Sequence, residues 1–410
     1  MMTLKEEGVL CDKRIRDLLA TGAIKAPTTT EVLEKDKRVQ TASFDLTLAK
    51  EAWRIGKETS RIPVETRIER AEKIDLSQPQ RFETGVAYLV KLQEQLELPQ
   101  GVRGFANPKS TSGRDGLLVT LLTDNEQGSL RLNHVPVGYK GNLWLEIMPQ
   151  VFPVILQEGV SLNHLRFFYG ETGITKTGLR AIHSSSGLLF DRDGKRITEE
   201  HIEIDRLGTN NDGLVMHLDL QYGTGDTNLI GYKSKKRVDK PIKFYAGITP
   251  KDADKLDPTE FWEELRGPLE EIVLEPGHLY ILSTIEKIRS LANMCMSLAV
   301  RDYSMGQFNS HFAGFFDAGW GCEYIRNNDI GLAVPEYTLD EAHSKGTTAT
   351  LEVMVGSHAI RIRHGDPVSK AVYDIMSGQP KEPYKLVSEG KMRAQNYGSQ
   401  QGVKLSKNFK

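Results

Sequence analysis

Gly85-x-x-Tyr88-Leu89 followed by Glu94 returns later in the chain as Gly277-x-x-Tyr280-Ile281 followed by Glu286, at a constant offset of 192 residues. A second block, Leu145-Glu146-Ile147-Met148 with Gly159, returns as Leu351-Glu352-Val353-Met354 with Gly365, at an offset of 206. A weaker pair, Ser43-Phe44-Asp45-Leu46-Thr47-Leu48 against Met216-His217-Leu218-Asp219-Leu220, shares only short alternating apolar runs. Matches in the same order at fixed offsets indicate duplication, with the change of 14 absorbed by loops of different length. Short runs rich in branched residues and bounded by turn formers recur in both halves: Gly116 to Leu122, Val151 to Leu156 and Ala359 to Arg363. This texture predicts a mainly β chain of two tandem barrel or sandwich repeats with a few short helices.

Boundaries follow from the same pattern. Residues 1–175 form repeat one, 176–385 repeat two, and 386–410, with glycines and no sustained apolar period, a mobile C-terminal tail. The stretch from Gly170 to Arg206, rich in Gly, Thr and Ser, reads as the junction. Helices are expected at Lys13 to Thr21, capped by Asp12, at Pro258 to Leu265, and at Pro367 to Met376, where Val368, Ala371, Val372 and Ile375 fall at helical spacing.

Composition narrows the function classes. The 410 residues are 39% hydrophobic and 26% charged, which fits folded domains; 53 Lys and Arg against 55 Asp and Glu leave a net charge of -2, too little for a whole-molecule grip on nucleic acid or anionic lipid. An anionic ligand therefore needs a local basic pocket. Cys11, Cys295 and Cys322 are scattered and odd in number, so they form no disulfide framework or Cys-x-x-Cys clip, and a reducing compartment is expected. No apolar run is long enough to span a bilayer, and Lys5, Glu6 and Glu7 stand where a signal peptide needs an apolar core; the chain reads as soluble and cytoplasmic. Neither common glycine-rich nucleotide cradle is present, and neither is the His-x-Glu with Pro-Cys-x-x-Cys of zinc deaminases. Ten histidines without ligand spacing also favour chemistry without a protein-bound metal.

The chemistry-bearing stretch is Asn107-Pro108-Lys109-Ser110-Thr111-Ser112-Gly113-Arg114, a turn with two cations, three hydroxyls and a glycine that admits close backbone approach. Such a mixture suits phosphate oxygens, although a polar loop opening a helix has the same composition. The counterpart in repeat two, Arg301-Asp302-Tyr303-Ser304-Met305-Gly306, has lost it, so one active loop is expected. Glu146, in Asn142-Leu143-Trp144-Leu145-Glu146-Ile147-Met148, shares a strand face with Trp144 and Met148; apolar neighbours raise a carboxyl pKa toward the range of general acid–base work, while an edge-strand Glu facing solvent remains the plain alternative. Glu352 lies in the same frame in repeat two. Ser310 to Gly321, with His311 and Asp317 among aromatics and glycines, could form a base-binding hairpin or a packed turn. The basic run Lys233 to Arg237 reads as a solvated loop.

On these residues the chain resembles the dCTP deaminases of the trimeric dUTPase superfamily, in their long two-repeat form. Val9 to Ile15 is similar to the family's opening helix, Gln40 to Leu46 to its first strand, and Lys109 to Arg114 to its Arg-Ser-Ser-x-x-Arg loop. The resemblance implies Ser110 and Arg114 as active-site residues and Glu146 as the base, with Glu352 as a possible second-repeat base. It further implies Lys109, Thr111, His311, Asp317, Tyr397, Gln400 and Arg393 at the substrate, with Lys391 as a further phosphate candidate and the tail closing over the triphosphate. Asn396 stands where a triphosphate-binding lysine is usual, and Pro136 replaces in repeat one the Asp that Asp317 keeps in repeat two. The markers are thus divided between the repeats, which admits a composite site. The implied reaction is metal-independent hydrolysis of dCTP to dUTP and ammonia, with Mg²⁺ carried by the triphosphate, no zinc, and a homo-oligomer, a trimer by preference. A dUTP diphosphatase or bifunctional enzyme using Asp317, and a non-catalytic nucleotide-binding relative, are the alternatives.

Overall fold

The computed structural model describes residues 6–29, 32–33, 37–56, 62–124, 132–206, 212–223, 228–246, 254–300, 308–309, 313–327, 336–388, 391–393 and 400–410. Repeat one is two antiparallel sheets face to face. One carries Gly8–Val9, Asn163–Tyr169, Val102–Pro108 and His134–Val135 in that order, with Phe44–Leu46 beside Asn163–Tyr169. The other runs Glu72–Asp75, Leu48–Ile55, Ala87–Glu97, Lys140–Pro149, Leu117–Thr123. Alternate residues of both sheets, among them Phe44, Val90, Leu121, Leu145 and Phe167, fill the space between them and are excluded from solvent.

The duplication is visible in the register. Glu146 lies opposite Leu89 and Ile147 opposite Tyr88; 206 and 192 residues on, Glu352 lies opposite Ile281 and Val353 opposite Tyr280. Tyr88 Oη accepts from Glu83 N at 2.9 Å, and Tyr280 Oη from Glu275 N at 2.9 Å. Gly85 and Gly277 turn into these strands at φ 77° and 79°, where a side chain is strained. The two glutamates within these strands do the same work: Glu94 takes the backbone N–H of Thr47 and Glu286 that of His217, each at 2.9 Å. The weak match of the Ser43 to Leu48 run with the Met216 to Leu220 run thus has a structural equivalence, with Thr47 in the place of His217.

Three local expectations need correction. Pro367–Ile375 is a strand, not a helix: it lies between Asp212–Asp219 and Met294–Val300 in the sheet of repeat two, and both of its edges are hydrogen-bonded. Val368, Ser369, Lys370 and Ala371 are all buried, so both faces of this central strand are covered and its apolar residues do not alternate with polar ones, which lets their spacing imitate a helix. The second helix stops early, as Pro258–Phe261, and Trp262–Arg266 pairs with Leu229–Ser234. The Gly-, Thr- and Ser-rich junction holds an unforeseen helix, Lys176–Ser186, capped by Thr175 Oγ1 on the N–H of Gly178. The opening helix forms, over Asp12–Ala20, but Asp12 lies in its first turn and Cys11, not Asp12, stands at the N-cap, without a side-chain cap bond.

The repeats share a core. Ile242, Phe244, Trp262, Leu279 and Ile281 of the second half join the apolar cluster of the first. Arg166, fully buried in repeat one, reaches across to donate to Met296 O (3.0 Å), Ser297 Oγ (3.1 Å) and Phe316 O (2.7 Å) of repeat two.

Candidate active site

The strand Val102–Pro108 ends on a proline, and Lys109, extended and tied by its N–H to Leu162 O (2.9 Å), opens the single helical turn Ser110–Arg114. Of the three hydroxyls, that of Ser112 is committed to Leu162 O (2.8 Å), a structural bond, while Ser110 and Thr111 line a cavity of about 160 Å³. Arg114, nearly buried, donates to Lys404 O (2.6 Å) and Gln400 Oε1 (3.0 Å).

The opposite wall comes from repeat two. Glu352, 1% exposed, accepts the backbone N–H of Ala313 at 3.0 Å, and Thr348, Thr350, Asp317 and Trp320 complete that side. A Cβ on Gly113 would lie 2.8 Å from Ala313 Cβ and 3.0 Å from the carboxyl carbon of Glu352, so only glycine lets the turn seat against that carboxylate. Asn107 Oδ1 pins the same junction by accepting Gly314 N at 2.6 Å.

Glu146 is not in this cavity. Its carboxylate takes the guanidinium of Arg67 at 2.5 Å, beneath the short helix Val64–Ile68, and Trp144 two residues before it packs on Trp53 with centroids 5.7 Å apart. The strand frame that makes Glu146 look like a base is the frame of Glu352; partners, not register, separate them.

Asp317 Oδ1 is buried, makes no hydrogen bond, and lies 3.8 Å from Arg166 Nη2. Burial pushes its carboxyl up to about 6, against the pull of Arg166. Pairing places Pro136 at its counterpart: Val135 opposite Gly104 matches Phe316 opposite Met296. Lys109 is spoken for by Asp45, whose second oxygen has no partner. Asp45, His164 and Lys407 are among the cavity residues that the sequence does not mark as site candidates. His164 sits beside Phe315 (5.1 Å between centroids), and burial together with the charges of Arg166 and Lys109 holds it well below the usual imidazole range, hence neutral. An Asp between Phe44 and Leu46 in an apolar alternation was the available signal for Asp45; His164, in an ordinary strand pattern, offered none.

Residues 400–410 are docked rather than mobile, correcting that part of the expected tail. Gln400 donates to Thr350 Oγ1 and to Gly402 O (2.7 Å), Gly402 N donates to Thr348 Oγ1 (2.7 Å), and Phe409 enters the aromatic cluster of Phe261 and Trp262. His311, Tyr397 and Asn396, and the repeat-two loop 301–306, lie outside the described residues, as do the side chains of Arg393 and Lys391.

The model of the 2'-deoxycytidine 5'-triphosphate deaminase N-terminal domain matches residues 6–171, and that of the C-terminal domain residues 176–409. The chain belongs to the dCTP deaminase family. A crystal structure titled as the dCTP deaminase of Agrobacterium tumefaciens superposes with a TM-score of 0.74 at 29% identity, covering 92% of this chain and 97% of that one. Curated dCTP deaminases of Metallosphaera sedula and Sulfurisphaera tokodaii are 34% and 32% identical, each over 79 residues and 19% of this chain. The matched stretch spans 40% and 37% of those relatives' own lengths. The two family models meet at the junction between the two β repeats. Among the described residues no helix is long and apolar enough to cross a membrane.

Proposed function

We propose that the protein hydrolyses dCTP to dUTP and ammonia in the cavity between its repeats, with Glu352 as general base. The observation that carries this reading is the seating of the Ser110–Arg114 turn against Glu352 across Gly113. Glu352 takes a proton from water as the water oxygen bonds to C4 of cytosine. The proton then passes to the exocyclic amine, the C4–N bond breaks, and ammonia leaves. Ser110 and Arg114 hold the water and the developing charge, a role suited to donors fixed in a dry site. Asp317 faces the nucleotide, and neutral His164 and Phe315 offer flat surfaces for it. Mg²⁺ arrives with the triphosphate as part of the substrate. A homo-oligomer, trimeric by preference, and a cytoplasmic setting complete the reading.

The test is incubation of chelator-treated protein with dCTP and Mg²⁺, following ammonia and nucleotides by chromatography. Ammonia with dUTP is expected. Ammonia with dUMP and pyrophosphate assigns a second hydrolytic step to the site, and bound but unreacted dCTP overturns the deaminase reading.

A further inference from the structure

We propose that Lys407 is a phosphate-binding residue of this cavity and that Asp115 positions it there by gripping Asn408, the residue after it. The inference rests on the reading of the cavity as a nucleoside triphosphate site and adds a residue to it.

Among the described residues three cationic side chains, Lys109, Arg114 and Lys407, line the cavity, and the first two have partners. Lys109 is paired with Asp45, and Arg114 donates to Gln400 and to the carbonyl of Lys404. Lys407 lines the cavity half-buried, and among the described residues its ammonium has no carboxylate in ion-pair contact. Burial and the neighbouring charge of Lys109 pull its pKa down, while Asp45 and Asp115 pull it up. A partly desolvated ammonium facing a polar cavity without a counter-ion is completed by an anion, and a phosphate oxygen supplies both charge and acceptors.

What holds Lys407 in place is Asp115, the residue after Arg114. It is fully buried, and its Oδ2 accepts from Asn408 Nδ2 at 2.6 Å. Asn408 follows Lys407 directly and donates its backbone N–H to Ser406 Oγ at 3.2 Å, so the carboxyl holds one side of Lys407 and Asn408 ties that side to the other. Beyond them Asn408 O accepts Leu256 N at 2.8 Å and Phe409 is locked among aromatics, which anchors the far end. The turn that presents Ser110 and Arg114 and the segment that presents Lys407 are thereby set against each other through adjacent residues, Arg114 and Asp115.

The experiment measures binding of inorganic tripolyphosphate by calorimetry and the kinetics of dCTP turnover in wild type, Lys407→Gln, Lys407→Arg and Asp115→Asn. Lys407→Gln should weaken tripolyphosphate binding and raise KM for dCTP by about tenfold, the worth of one charge-assisted contact, with kcat changed less than about twofold. Lys407→Arg should recover most of that loss, and Asp115→Asn should shift KM in the same direction by a smaller factor. Tripolyphosphate affinity unchanged in Lys407→Gln, or no recovery in Lys407→Arg, overturns the proposal, as does a wild type that does not bind tripolyphosphate. Wild type that binds tripolyphosphate but releases no ammonia from dCTP overturns the deaminase reading and leaves the assignment of Lys407 standing on its binding data.

Discussion

Glu146 and Glu352 occupy the same place in two copies of one fold, on strands with the same register, and have opposite surroundings. Around Glu352 the residue two before is Thr350, which opens onto the cavity, and the Ser110–Arg114 turn lies across from it. Around Glu146 the residue two before is Trp144, which with Trp53, Val64 and Leu89 makes a small apolar cluster, and Arg67 caps the carboxylate. Repeat one has filled the space where repeat two keeps a cavity wall. A duplicated strand thus preserves the backbone position of a functional group without preserving its chemistry, which is set by whatever packs around it.

The sharpest way to break this comparison is to neutralise each glutamate. Glu352→Gln should lower the rate of ammonia release by roughly 10³-fold, in the range for loss of a general acid–base, while dCTP still binds. Glu146→Gln should leave kcat within about twofold. An active Glu352→Gln enzyme, or an inactive but folded Glu146→Gln one, reverses the assignment. Next in size, Gly113→Ala should reduce kcat/KM by about 10²-fold, because the added methyl pushes the turn off Glu352. Wild-type kinetics in that variant mean the turn can withdraw without consequence.

Arg67→Met sharpens the other side of the comparison. It strips the ion pair from a mostly buried carboxylate and should cost about 2 kcal/mol in chemical denaturation, with little change in turnover. A variant as stable as wild type shows the capping of Glu146 to be energetically idle.

The smallest effect is a pH slope. Burial pushes Asp115 up to about 7 from an ordinary 3.8, so between those values the folded chain holds a proton the unfolded chain has released. Stability from this residue is therefore full near pH 4, falls as pH rises to about 7, and is level beyond. Asp317 adds the same sign of slope up to about 6. Denaturation midpoints from pH 5 to 7.5 should fall less steeply in Asp115→Asn than in wild type; equal slopes dismiss the effect.

The fold was legible because duplication repeats turn glycines and inward-facing residues at fixed intervals, and the register follows those intervals. Pro367–Ile375 misled for a physical reason: a strand buried on both faces has no polar beat to betray its period. In the site, the Ser110–Arg114 turn was legible from its residue types. The choice between two glutamates was not, because it depends on Arg67 and Gly113, residues distant in sequence from the carboxylates they affect. His164 and Lys407 carry no local mark, since an isolated ring or ammonium becomes a cavity lining only through tertiary placement.

The division of parts between the repeats also bears on history. With the turn in one copy and the carboxylates in the other, neither half retains a complete set: repeat one has Pro136 where Asp317 stands and Arg67 over its glutamate. On the assignment proposed above, excising either copy discards a needed part, and restoring self-sufficiency to the first demands several coordinated replacements. The doubling of the gene has thereby become a ratchet, and the two copies, once spares for each other, are now bound to be inherited together.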